Sequence, residues 1–231
     1  MTPRSVVVTG AGCGIGLAIT AELAHAGFDV IGTVRGEERA QELREAVERT
    51  GASVRTVLLD VTDATSCVRA FTEIATMTDG GPWAVVNNAG IAQPGAIEDV
   101  DDEQVRRQLE TDLVAPARIA RLVLPTMRTR RAGRIVNISA VSGRVSMPLL
   151  GWYCAGKQGL EAVTDALRME AAPSASRSCW WSRARTARTS GSAARAGCRS
   201  AATRRTGTST RPRRSRSSGN CPRRARWHAP S

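Results

Sequence analysis

A doubly wound parallel sheet of the α/β class is what the front of this chain predicts, on three observations. Short apolar runs alternate with stretches of helical periodicity, the order of a parallel sheet with crossover helices. The first apolar run opens directly into a glycine-rich turn, SVVVTGAGCGIG, and a helical stretch follows it. A chain of 231 residues is long enough for one such domain with a well-buried core.

Taken in order, residues 5–9 read as a short, fully buried strand, and Ile15–Ala26 as the first helix. Asp29–Val34 is a second strand, Glu37–Thr50 a charged amphipathic helix, and Ser53–Asp60 a third strand. Thr65–Met77 reads as helix and Trp83–Asn87 as the fourth strand. Asp101–Arg130 reads as one long helix kinked at Pro116. Gly133–Ser139 is the fifth strand and Tyr153–Glu170 the last helix. Beyond Pro173 no periodicity continues, so the sheet is expected to be truncated after the fifth strand, leaving that strand as an exposed apolar edge.

Composition draws the same boundary. Residues 171–231 hold 15 Arg, no Asp or Glu, and no Val, Ile, Leu, Met or Phe. With 33 basic and 21 acidic residues in all, residues 1–170 keep 18 and 21, a balance of about −3. The whole basic excess therefore lies in a tail that cannot bury enough apolar surface to offset chain ordering. Two regions are expected: a domain over 1–172 and an Arg-rich disordered tail over 173–231. The six Cys form no C-x-x-C pair and no metal-ligand spacing, so they read as unpaired thiols without a metal site. No charged leader with an apolar core opens the chain and no apolar run reaches ~18 residues, which points to a cytoplasmic protein off the membrane.

Glycines between strand one and helix one let the backbone turn tightly and approach a pyrophosphate, which then meets free N–H groups at the helix N-terminus. The turn Thr9-Gly10-Ala11-Gly12-Cys13-Gly14-Ile15-Gly16 is spaced T-G-x-x-x-G-x-G rather than G-x-G-x-x-G. Three further motifs follow in order: Asp60-Val61 closing strand three, Asn87-Asn88-Ala89-Gly90 closing strand four, and Tyr153-x-x-x-Lys157. Each alone has an ordinary reading, as a helix cap, a turn or a surface pair. Together they resemble the short-chain dehydrogenase/reductase family from about Arg4 to Ala172. The resemblance implies a Rossmann-type fold and an NAD(P) site built from Gly10, Cys13, Gly14, Ile15, Gly16, Asp60, Val61, Asn87, Ala89 and Gly90, with Tyr153 and Lys157. At the end of strand two Arg35 stands beside the position where an acid would bind a free ribose 2′-hydroxyl, so NADP(H) is expected over NAD(H).

Tyr153 and Lys157 lie four apart and share a helix face, and each is the chain's only residue of its type. The resemblance implies that Tyr153 gives or takes the carbinol proton while Lys157 tunes it and holds the nicotinamide ribose. A nearby ammonium and an oxidised nicotinamide are both expected to favour phenolate, bringing the phenol down from its usual ~10. Three departures stand against the family pattern. Ala140, thirteen residues before Tyr153, replaces the Ser that bonds the substrate oxygen; the neighbouring Ser139 is expected to face away and Ser142 to lie further along the loop. Asp112 replaces an Asn, and an acceptor-only carboxylate lacks the amide's donor. Gly156 replaces a Ser, at ~1 kcal/mol of helix propensity.

The reading is an NADP(H)-dependent oxidoreductase acting on a small alcohol or carbonyl substrate. The alternative is a non-catalytic dinucleotide-binding protein, a pseudoenzyme or inactive frame-shifted product. A nucleic-acid partner ranks last, because the tail shows no basic periodicity and no binding motif. A homo-oligomer packed through the helices around 105–130 and 153–170 is what the resemblance implies for an intact tail. The tail itself reads as frame-shifted. Cys179-Trp180-Trp181-Ser182-Arg183-Ala184 can be written TGC TGG TGG AGC CGG GCC, and the frame one base earlier gives V-L-V-E-P-G, resembling the family's sixth strand and its P-G turn.

Overall fold

The computed structural model describes residues 4–171 and the strand at 180–184. These lie within the first of two units into which the chain divides, Met1–Ala196; the second, Gly197–Ser231, is outside the described residues. The expected tail after 173 falls outside them too, except for that strand.

Six parallel strands are ordered β3-β2-β1-β4-β5-β6. They are β1 (Ser5–Val8), β2 (Asp29–Val34), β3 (Arg55–Leu58), β4 (Ala84–Asn87), β5 (Arg134–Ile138) and β6 (Trp180–Ala184). The helices are α1 (Gly14–His25), α2 (Glu37–Glu48), α3 (Ala64–Met77), α4 (Asp102–Leu109), α5 (Ala115–Thr129) and α6 (Gly151–Ala171). Both faces of the sheet are covered, which is why the strands read as unbroken apolar runs. Val7, Ile31, Val85 and Ile135 pack with Phe71 and Ile74 of α3 and Ile119 and Val123 of α5. Val6, Val8, Val30 and Val86 pack on the other side with Leu43 and Val47 of α2 and Leu17 and Leu23 of α1. Strand order reverses between β1 and β4, and the crevice at the carboxyl ends of those strands is where such sheets hold ligands.

Two expectations are corrected. The sheet does not stop at β5: Trp180–Ala184 pairs with it in parallel register over Arg134–Ile138. The open edge of β5 offers a row of N–H and C=O groups that any extended segment can satisfy, and the backbone of 180–184 supplies one where apolar periodicity gave no sign. The helix over 101–130 is interrupted, but not by Pro116. That residue sits in the first turn of α5, where its missing N–H costs nothing. The interruption is a π-helical turn at Glu110–Val114, which widens the ladder by one residue and buries consecutive side chains, Thr111 and Asp112.

Candidate active site

The glycine turn is held against the end of β4 by two side-chain groups. Thr9 Oγ1 accepts the backbone N–H groups of Asn88 and Ala89, both at 3.0 Å. Asn88 Nδ2 donates to the carbonyls of Thr9 (3.0 Å) and Gly10 (3.1 Å). Such closeness excludes side chains at two positions. Gly10 has φ +64° and a Cβ there would lie 2.9 Å from Ala89 Cα, while a Cβ on Gly16 would lie 2.2 Å from the Gly10 carbonyl oxygen. Helix α1 then starts at Gly14 with no side-chain cap from Cys13 and no acidic residue in its first turn. Its leading N–H groups are therefore left for an external acceptor, which suits a pyrophosphate.

Arg35 is exposed just past β2. Asp60 closes the neighbouring strand, where its Oδ1 accepts from the Thr62 N–H (2.9 Å) and hydroxyl (2.7 Å). The Thr62 hydroxyl holds the Asp60 carboxyl below its ordinary range, and the charges of Arg35 and Arg107 add to this. Asp60 and Arg35 thus act on one another at the same end of the crevice. Val61 is buried, and its carbonyl accepts from Arg118 Nη1 at 3.0 Å.

Across the crevice, Lys157 is 6% exposed and donates to the Ile138 carbonyl at 3.2 Å. Its Nζ lies 3.8 Å from Asp112 Oδ1 and 5.8 Å from the centre of the Tyr153 ring. Asp112 is fully buried by the π-turn, with Oδ1 accepting from the Ile91 N–H (3.1 Å) and Oδ2 from Gln108 Nε2 (2.6 Å). Gly156 lets α6 come this close: a Cβ there would sit 3.3 Å from Asp112 Cβ. Burial draws the Lys157 ammonium down and pushes the Asp112 carboxyl up, each opposed by the other's charge.

Burial pushes the Tyr153 phenol up rather than down, and Asp112 and Cys154 push the same way. Lys157 does not counter this in the protein alone, because its Nζ is turned to Asp112 and the β5 carbonyl. Beside Ala140, Ser139 is buried beneath Gly143 with its Oγ unpartnered. Ser142 is buried too, and its carbonyl accepts from Gln158 Nε2 at 3.4 Å. Neither hydroxyl is hydrogen-bonded to Tyr153, and Ala140 has none to offer.

Comparison with known proteins places this geometry. The short chain dehydrogenase family model matches residues 4–177. The chain belongs to the short-chain dehydrogenases. It is 37% identical over 178 residues to the uncharacterized oxidoreductase YusZ of Bacillus subtilis (strain 168), covering 75% of this chain and 61% of that protein. It is 34% identical over 172 residues to an NADPH-dependent 3-dehydrocapnine reductase of Ornithobacterium rhinotracheale, covering 72% and 60%. A solved short-chain dehydrogenase from Streptomyces avermitilis superposes with TM-score 0.72 at 32% identity, covering 79% of this chain and 65% of that one. The chain thus spans about three-fifths of the length of these curated relatives.

Within this short-chain dehydrogenase, several structural partners escape a reading by motif. Asn87, taken from the motif as a cofactor residue, is buried and donates from Nδ2 to Asn137 Oδ1 (2.8 Å), and Asn137 donates on to Thr164 (2.7 Å). It is Asn88 beside it that grips the glycine turn. Gln108, also buried, tethers the segment after Gly90 through Ile91 and Gln93. The signal available for these was weak: polar residues inside apolar elements. Among the described residues Cys13, Cys67 and Cys154 are free thiols, and no helix is long and apolar enough to cross a membrane.

Proposed function

We propose that this chain carries the dinucleotide-binding and proton-transferring part of an NADP(H)-dependent oxidoreductase that interconverts an alcohol and a carbonyl. The observation that carries the reading is the convergence at one crevice of an uncapped helix N-terminus and the Tyr153–Lys157 pair, at the point where strand order reverses. Gly10, Cys13, Gly14, Ile15 and Gly16 hold the pyrophosphate. Asp60 and Val61 meet the adenine, and Arg35 takes the ribose 2′-phosphate by charge and fork geometry. The strand end at Asn87, Ala89 and Gly90 backs the nicotinamide half, whose ribose Lys157 holds. Bound, the nicotinamide supplies or accepts the hydride. Tyr153 delivers or removes the proton at the substrate oxygen.

The loops on either side support an apolar substrate. Ile97 (60% exposed) and Val141, Val145 and Leu149 (53–64%) stand open on two loops that are bridged at Gly95 and Leu150. The same reading takes a second copy of the chain as partner through α5 and α6, where a cavity of 490 Å³ is lined by Leu124, Pro125, Val163 and Leu167. Titrating the full chain with NADPH and NADH, followed by nucleotide fluorescence, tests the cofactor. NADPH binds more tightly in this reading, and Arg35→Asp reverses the order. Tighter NADH binding by the unaltered chain removes the argument.

A further inference from the structure

Gln108 and Asp112 are both 0% exposed and face each other across the start of the π-turn. Gln108 has one usable orientation. Its Oε1 accepts the Gln93 N–H at 2.8 Å, while its Nε2 donates to the Ile91 carbonyl (3.1 Å) and to Asp112 Oδ2. Every group around position 112 therefore offers a proton: the Gln108 amide, the Ile91 N–H, and Lys157 Nζ at 3.8 Å. An Asn at 112 would turn its own NH₂ against one of these donors. Flipping Gln108 to relieve that clash would set its NH₂ against the Gln93 N–H. The surroundings select an acceptor-only group, which is an ionised carboxylate. A buried carboxylate beside a buried ammonium leaves the pair with no net charge toward Tyr153.

We propose that Asp112 is a positioning residue whose carboxylate holds Lys157 Nζ off Tyr153 and keeps that side chain a neutral phenol, so that the site is set to donate a proton to a carbonyl oxygen rather than to take one from an alcohol. The proposal rests on Tyr153 being the acid–base group of the proposed function. In that step the Tyr153 O–H bond breaks and a new O–H bond forms on the substrate oxygen, and solvent water returns the proton to the phenolate. The charged groups facing Tyr153 are Asp112 from the π-turn and Lys157 from its own helix, with the Cys154 thiol alongside. Arg144, on the loop before α6, is engaged 3.7 Å from Glu161. Burial and Asp112 both push the phenol upward, in keeping with the geometry.

Tyr153 is the only tyrosine in 231 residues, so tyrosinate absorbance reports on it alone, without dinucleotide or substrate. The experiment is a stopped-flow pH jump of the full chain, read before alkaline unfolding. The wild-type midpoint is expected above that of free tyrosine, about 10. In Asp112→Asn it is expected to fall by about one unit, a tenfold gain in phenolate at a given pH. Because Asn at 112 sets donor against donor, Asp112→Ser serves as a second uncharged variant, and the thermal transition of each identifies a folded one. An unmoved midpoint in a folded variant overturns the proposal, since a merely structural carboxylate would leave the phenol alone. A wild-type midpoint at or below that of free tyrosine overturns it whether or not either variant folds. Failure to bind any dinucleotide would sink the functional reading and leave this titration intact.

Discussion

Replacing Gly16 with Ala tests whether the glycine turn is a packing device or only a flexible one. A methyl group at 16 would lie 2.2 Å from the Gly10 carbonyl oxygen and 2.5 Å from Asn88 Nδ2. Helix α1 must then withdraw from the turn by more than roughly 1 Å to reach ordinary contact distance. Overpacking against backbone costs about 1–3 kcal/mol. The withdrawal also loosens the two Asn88 hydrogen bonds to Thr9 and Gly10, each contributing about 0.5–1.5 kcal/mol. A loss of about 3 kcal/mol corresponds to a Tm lowered by roughly 6–12 °C in a domain of this size. Gly14→Ala is the control. Nothing lies within 4 Å of its Cβ position, and only φ +56° opposes the change, at about 1–2 kcal/mol. Urea unfolding of the full chain measures both. Equal destabilisation of the two variants would refute the close-approach argument.

Three more outcomes are expected. The Asp60 carboxyl is lowered chiefly by the Thr62 hydroxyl, so its stabilising contribution is present above the unfolded value of about 3.9 and is lost as pH falls through the lower folded value. Thr62→Val should therefore destabilise the protein at about pH 6 and cease to do so near pH 2, by urea unfolding at each pH; a difference that persists in acid counts against it. Inserting one base between the codons for Pro173 and Ser174 should return V-L-V-E-P-G at 179–184, and sequencing the gene shows whether its codons permit that frame. In that frame-restored protein Ala140→Ser should raise kcat on a reducible carbonyl at least about tenfold, the low end of what a substrate-polarising donor contributes, with cofactor affinity unchanged; an unchanged rate would mean that another group polarises the substrate.

What the sequence made legible follows physical scale. Strands β1 to β5 were readable because both faces of the sheet are covered, which demands unbroken runs such as Val6-Val7-Val8. The glycine turn was readable because its steric demands are local. The π-turn was not, since one extra residue among 110–114 hardly alters the period of a stretch that is helical on both sides. That blind spot hid the surroundings of Asp112: the substitution stands in the motif, but its donors on Ile91 and Gln108 come from elements brought together only by the fold. Strand β6 was missed because no aliphatic residue marks it, and its place depends on an edge offered by β5. The Asn87–Asn137–Thr164 chain was not legible, because a motif names positions and not directions.

The single lysine carries a consequence beyond catalysis. Apart from the chain's own amino terminus, the ε-amino group of Lys157 is the only primary amine in 231 residues, and the fold encloses it. Amine-directed reagents, whether acetyl donors, reducing sugars or cross-linkers, find no side chain to attack on the native surface. Acylation at Lys157 therefore requires the α6 end of the molecule to open, and the rate of that single modification is a clock for local opening. Under the proposed function, loss of that amine would also remove the partner of Tyr153, so chemical ageing and functional loss would run at one rate.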